Sequence, residues 1–197
     1  MPSPLTAILL VPILTAGIAR AVEEPRFTVE TRTTTYEIRR YEPVLVAETP
    51  VTAAFAEAGN AGFRVLAGYI FGNNQTRARI AMTAPVIQEA AAATVLKPSA
   101  EGFVVQFTMP AGSALATLPV PNDPRVHLRE LPGRRVAVLA YSGSWSEARY
   151  QGKAAALLAA LKGDGLRPVG APVLARFDSP FQLWFLRRNE VWVELDA

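Results

Sequence analysis

The sequence predicts an α+β fold, with duplicated β-β-α-β-β halves giving an eight-stranded, mainly antiparallel twisted sheet or distorted barrel with two main helices. Three observations lead there. Short strand-like runs are joined by proline and Pro-Gly turns, which favours antiparallel pairing. Two stretches carry apolar residues at helical spacing. The order of elements also echoes itself along the chain: Ala84-Pro85-Val86 matches Ala171-Pro172-Val173 at an offset of 87, and Ile38 matches Leu128 at an offset of 90.

In the first half, residues 36–40 and 44–49 form a hairpin around Glu42-Pro43, a helix covers 53–71, and strands cover 80–88 and 103–109. Phe63, Leu66, Ala67 and Ile70 stand at i, i+3, i+4 and i+7, one face of a helix, and Gly72 supplies the stop. In the second half, residues 126–131 pair with 135–141 around Pro132-Gly133, a helix covers 146–162, and strands follow at 173–177 and 191–195. Tyr150, Ala154, Leu157, Leu158 and Leu161 repeat the helical spacing. Ser144-Trp145-Ser146-Glu147 reads as a capping box for that helix, and Gly163 as its stop. Residues 136–141 are apolar on both parities, which predicts burial on both faces, whereas 126–131 alternate and face solvent on one side. Between the halves, residues 110–124 contain four prolines and no periodicity, and read as a surface connection.

Residues 1–21 read as a signal peptide: an apolar run over 5–19, then Ala19-Arg20-Ala21 as an A-x-A cleavage pattern. The run is fifteen residues long and contains Pro12, short of the ~20 residues that span a bilayer. The expectation is an exported protein, periplasmic or secreted, with no stable membrane span after processing. Residues 22–30 are expected to be a flexible N-terminus and 31–197 a single domain, with halves at about 31–109 and 126–197. A monomer is expected. The net charge of +3 and the scattered pairs Arg39-Arg40, Arg134-Arg135 and Arg187-Arg188 argue against nucleic acid.

The chain has no cysteine, so disulfides, thiolate metal sites, cysteine nucleophiles and covalent haem attachment are excluded. His127 is the only histidine. On its alternating strand it shares a face with Arg129, opposite Val126 and Leu128, and reads as solvent-facing. Gly143-Ser144-Trp145-Ser146 misses the nucleophile elbow because Glu147 stands where glycine is required. Gly163-Asp164-Gly165-Leu166 lacks the lysine of a phosphate loop. With no acid, base or nucleophile constellation, an enzyme is not expected.

Four motifs in order carry a resemblance to a known family. They are Tyr36-Glu37-Ile38-Arg39-Arg40-Tyr41-Glu42-Pro43, the stretch over 63–86 that joins an apolar helix to Gly72-Asn73-Asn74 and a strand broken at Pro85, Phe107-Thr108-Met109-Pro110, and Arg187-Arg188-Asn189-Glu190-Val191. In these the chain resembles the SOUL haem-binding family. The resemblance implies non-covalent binding of haem or a related tetrapyrrole in an apolar groove beside the first helix, as carrier or buffer. The matching positions are Phe63, Leu66, Ala67, Ile70 and Phe71, with Met82 as a second wall. The same positions are also what any amphipathic helix presents to its own core.

Where family members that ligate iron through histidine carry it, in the opening strand, this chain has Arg40, which cannot ligate but can pair with a propionate. Tyr41, Met82 and His127 stay open as iron ligands, so the metal set is unknown. Arg64, with Arg77 and Arg79, flanks the helix and is a further candidate for propionates. A rival reading is a binding module for another amphipathic small molecule, resembling the effector-binding domains of regulators. A protein-interaction role would be signalled by an exposed apolar patch around Trp184, Phe185 and Trp192.

Overall fold

The computed structural model describes residues 22–91, 102–179 and 181–196; the leader expected over 1–21 lies outside them. The strands are β1 (Phe27–Arg32), β2 (Glu37–Tyr41), β3 (Val44–Val51), β4 (Val86–Ala90), β5 (Phe103–Thr108), β6 (His127–Leu131), β7 (Arg134–Ser142), β8 (Val173–Arg176) and β9 (Arg188–Glu194). The helices are α1 (Phe55–Ile70) and α2 (Glu147–Gly163). All nine strands join one curled antiparallel sheet in the order β1-β2-β7-β9-β8-β4-β5-β3-β6. The α+β class is as expected, but the strand count is nine rather than eight. The additional strand is β1, which begins inside the stretch expected to be flexible and pairs along β2 from Phe27↔Tyr41 to Arg32↔Glu37. After β1, the sheet order is unchanged when β2 to β5 are exchanged for β6 to β9 and read from the other end.

Alternation along the strands sorts the side chains onto two faces. On one, Leu66, Tyr69 and Ile70 of α1 meet Ala47, Val105 and Phe107, while Leu157 and Leu161 of α2 meet Ala137, Leu139, Val191 and Val193. Leu66, Leu157 and Leu161 are fully buried, each contributing about 1.5–3 kcal/mol of apolar burial. Phe55 at the start of α1 stacks on Tyr150 of α2 with centroids 5.0 Å apart, joining the two helical layers. On the other face, Tyr41, Ile87, Val136, Val138, Ala175 and Trp192 form a second layer. Strand β7 is thus buried on both faces, as its continuous apolar run predicts.

Gly62 lets α1 approach the sheet, since a Cβ there would lie 2.4 Å from the Val105 Cβ. The helix ends where Gly72 takes φ +113° and the Asn73 amide donates back to the Gly68 carbonyl at 2.9 Å. Buried Asn74 then fixes the exit: its Nδ2 donates to the Tyr69 and Ala78 carbonyls, and its Oδ1 accepts from the Ala78 amide.

Three local expectations are corrected. The strand expected over 80–88 begins only at Val86: Pro85 has no N–H for the ladder, and the Ile80 amide is spent on the Ile70 carbonyl. The capping box does not form, because Ser146 is the N-cap and the Ser144 hydroxyl faces the Ser146 hydroxyl at 3.4 Å. The left-handed stop after α2 is Gly165, φ +71°, rather than Gly163. The connection over 110–124 is tied to α1, with the Tyr69 hydroxyl donating to the Pro119 carbonyl at 2.9 Å and Leu118 packed on the α1 layer.

All five tyrosines have pKa values pushed up to about 12, burial being the largest cause in each, with the Asp164 carboxylate adding to it at Tyr36. The fold therefore favours the neutral phenols. Their contribution to stability is complete below the unfolded value of about 10 and is lost as pH rises toward 12. Tyrosinate absorbance in an alkaline titration is expected to appear together with loss of the far-ultraviolet dichroism. Ionisation of the phenols near pH 10 with the dichroism intact would contradict this.

Candidate functional site

The outer side of α1, the segment leading into β4, the end of β8 and Trp145 in the turn before α2 enclose an apolar groove of about 260 Å³. Phe63, Phe71, Met82, Ala84, Val86 and Phe177 supply its apolar walls. Phe63 is held edge-on against Phe107 with centroids 5.4 Å apart, while Phe71 stands at the rim, 57% exposed.

One end of the groove is different. Arg176 reaches it from β8 with only 8% of its surface exposed. Its Nη2 donates to Gln88 Oε1 at 3.2 Å, and its Nε has no partner among the described residues. No carboxylate pairs with it there, and burial holds the guanidinium below the usual arginine range, at about 10. The guanidinium lies against α1 at Gly59, where a Cβ would overlap Nη2, and 5.0 Å from the Trp145 ring centroid. Trp145 also lines the groove, and its buried Nε1 donor likewise has no partner among the described residues. Behind them, Arg176 pairs in register with Asn189, and Asn189 with Tyr141. Paired residues share a face, so the three side chains form one row across β8, β9 and β7. Tyr141 Oη and Asn189 Oδ1 are again buried without a partner among the described residues.

The residues singled out in the sequence divide. Phe63, Phe71 and Met82 line the groove. Leu66 and Ile70, each at most 1% exposed, belong to the core under α1. Ala67 is half-buried and outside the groove lining. Arg64, Arg77 and Arg79 are exposed and also outside it. Arg40 lies on β2, bonded to Glu30 on β1 at 2.6 Å. His127 is exposed on β6, and Tyr41 is buried on the opposite face beside Trp192. Among the described residues no three His, Asp or Glu side chains cluster to hold a metal.

Sequence reasoning missed Trp145, Arg176 and Phe177. The available signal was an arginine at the same parity as Leu174 in an apolar strand, an inward position where a charge is unusual.

A second cavity of similar size adjoins the groove at Thr83 and is lined by Glu23, Glu24 and Glu42 with Arg26. Its three carboxylates suit an anionic guest less well than the groove, whose lining carries Asp178 alone beside Arg176. The face without helices is closed by paired charges: Glu48 accepts from Arg129 and Gln106, and Glu190 accepts from Arg39, Arg188 and Trp192. Phe181, Leu183, Trp184, Phe185 and Leu186 are exposed, whereas Trp192 is buried, so the apolar surface patch excludes the last of these. No helix among the described residues is long and apolar enough to cross a membrane.

Comparison with known proteins adds a family signal. The sequence model described as SOUL heme-binding protein matches residues 22–194. Heme-binding protein 2 of Mus musculus is 29% identical over 161 residues, covering 80% of this chain and 77% of its own. Heme-binding protein 1 of Xenopus tropicalis is 29% identical over 160 residues, covering 80% and 82%. Among solved structures, the C-terminal domain of EcmrR superposes with a TM-score of 0.61 at 9% identity, covering 82% of this chain and 98% of that one. A hydrolase from Listeria innocua gives 0.54 at 10% identity, covering 85% and 94%. At such identities these two likenesses speak to the fold alone.

Proposed function

The chain belongs to the SOUL haem-binding family, and from that premise we propose that it binds haem or a related tetrapyrrole non-covalently in the groove beside α1, as an exported carrier or buffer rather than an enzyme. The observation that carries the reading is the combination of apolar walls with buried, unpartnered donors at one end. A tetrapyrrole has the same two-part chemistry, a flat apolar body with carboxylates at one edge.

The residues fit such a guest. Phe63, Phe71 and Phe177 offer aromatic surface to the macrocycle, Arg176 a cation to a propionate, and the Met82 thioether the one soft donor among the groove's lining residues. Bound haem would supply the iron chemistry, while these residues bind, orient and partly desolvate it. A volume of about 260 Å³ lies just under the ~300–1,000 Å³ usual for small-molecule sites, so the groove embraces part of a macrocycle and leaves the rest at the rim. Burying about 300 Å² of porphyrin gives roughly 7 kcal/mol, and association costs of ~4–15 kcal/mol offset much of it. Charge-assisted bonds to the propionates, each worth ~1.5–3 kcal/mol, bring the total toward the micromolar range, about −8 kcal/mol, when two form and the association cost lies at the low end of its range. Partial enclosure and moderate affinity suit reversible carriage. We also read the symmetric strand order as the trace of an internal duplication.

Titration of hemin into the protein is expected to give a saturable Soret change with micromolar affinity. A linear response up to tens of micromolar would defeat the proposal.

A further inference from the structure

The groove contains a buried cation that forms no ion pair among the described residues, although Asp178 lies elsewhere in the lining. Arg176 is more than nine-tenths buried, makes one side-chain hydrogen bond, to the neutral Gln88, and has no carboxylate partner among the described residues. Arg39, Arg129 and Arg188, by contrast, have carboxylate partners: Glu190, Glu48, and Glu190 with Glu24. An unpaired charge in such a place is costly, and residues kept at a cost to stability concentrate at functional sites. The polar atoms around it point the same way. Of the five buried side-chain polar atoms without a partner among the described residues, four belong to Tyr141, Trp145, Arg176 and Asn189. Two of these residues, Trp145 and Arg176, line the apolar groove, and each has a buried N–H donor without a partner among the described residues.

We propose that Arg176 Nε and Trp145 Nε1 form an anion-receiving end of the groove, so that its ligands are apolar bodies ending in a carboxylate, sulfonate or comparable oxyanion. A guanidinium 5.0 Å from an indole ring places two donor-bearing groups side by side, and an oxyanion can accept from both. The surrounding phenylalanines exclude water and strengthen the pairing. Gly59 is the enabling residue in α1, because any side chain there would overlap the guanidinium. The inference shares the groove with the tetrapyrrole reading but does not require a tetrapyrrole as guest.

The test compares two probes with the same aromatic skeleton, 1-anilinonaphthalene-8-sulfonate and its uncharged parent N-phenyl-1-naphthylamine, followed by fluorescence. Wild type is expected to bind the sulfonate at least tenfold more tightly. Arg176→Gln is expected to remove that preference while leaving the neutral probe's affinity and the thermal midpoint unreduced. Trp145→Phe, which keeps the ring and removes only the donor, is expected to weaken the sulfonate severalfold. Equal binding of the two probes by wild type would overturn the proposal. So would an Arg176→Gln variant that unfolds at lower temperature with its preference intact, since the arginine would then be structural. If hemin fails to bind while the sulfonate preference holds, the tetrapyrrole reading falls and the anion site stands; the converse result separates them the other way.

Discussion

Glu190→Ala is expected to destabilise the protein by about 3–5 kcal/mol, the cost of breaking a buried ion pair from one side. Glu190 is fully buried on the face of the sheet without helices. Its carboxylate accepts from Arg39 Nη1 at 3.1 and 3.2 Å, from Arg188 Nη2 at 2.9 Å and from Trp192 Nε1 at 2.6 Å. Burial works against the Arg39 cation, and the facing Glu190 more than restores it, holding its pKa above the usual arginine value. Truncation would leave Arg39, only 7% exposed, with the half-buried Glu37 carboxylate but without its fully buried partner, and would orphan the indole donor. Urea unfolding at neutral pH measures the loss. A change under about 1 kcal/mol would mean that water reaches Arg39 and that this face is less closed than described.

The second large effect concerns binding. Phe71→Asp is expected to weaken hemin by about tenfold to a hundredfold, the equivalent of the ~1.5–3 kcal/mol for burying an aromatic side chain. The new carboxylate would also face a guest carrying carboxylates of its own. Because Phe71 is exposed at the rim, the fold itself should change by no more than about 0.5 kcal/mol, so lost binding is not confused with lost structure. Arg40→Ala serves as the control. Its partner is Glu30 on the edge strand, and hemin affinity is expected to be unchanged. Equal effects of the two substitutions would remove the groove from the account.

The main elements could be read from the sequence because their patterns are set by local physics. Helical spacing at Phe63, Leu66 and Ile70 and the two-sided apolar run of β7 map onto the packing that buries them, while Ala67, on the same predicted face, joins no cluster. Strand β1 was hidden because Glu23, Glu24 and Pro25 make its approach look like a solvated tail, and its pairing with β2 is a tertiary matter. Helical spacing also could not say which side of α1 meets the sheet most deeply. Leu66 and Ile70 went to the core, while Phe63 and Phe71, at its edges, went to the groove. The polar end of the groove depends on Trp145, Arg176 and Asn189, which stand far apart in the chain and meet only through strand register and the turn before α2. A positive charge near the first helix was expected from Arg64, Arg77 or Arg79. The buried one comes instead from β8, a strand from the other half of the chain.

The most direct test is a map of where a macrocycle rests. Gallium protoporphyrin IX is diamagnetic, and its ring current shifts amide resonances only close to the ring. In nitrogen-15 correlation spectra of the labelled protein, the largest shifts are expected at Gly59, Phe63, Phe71, Met82 and Arg176. Dominant shifts at Glu23, Glu42 and Ala111, around the carboxylate-lined cavity, or no shifts at saturating porphyrin, would contradict binding in the groove.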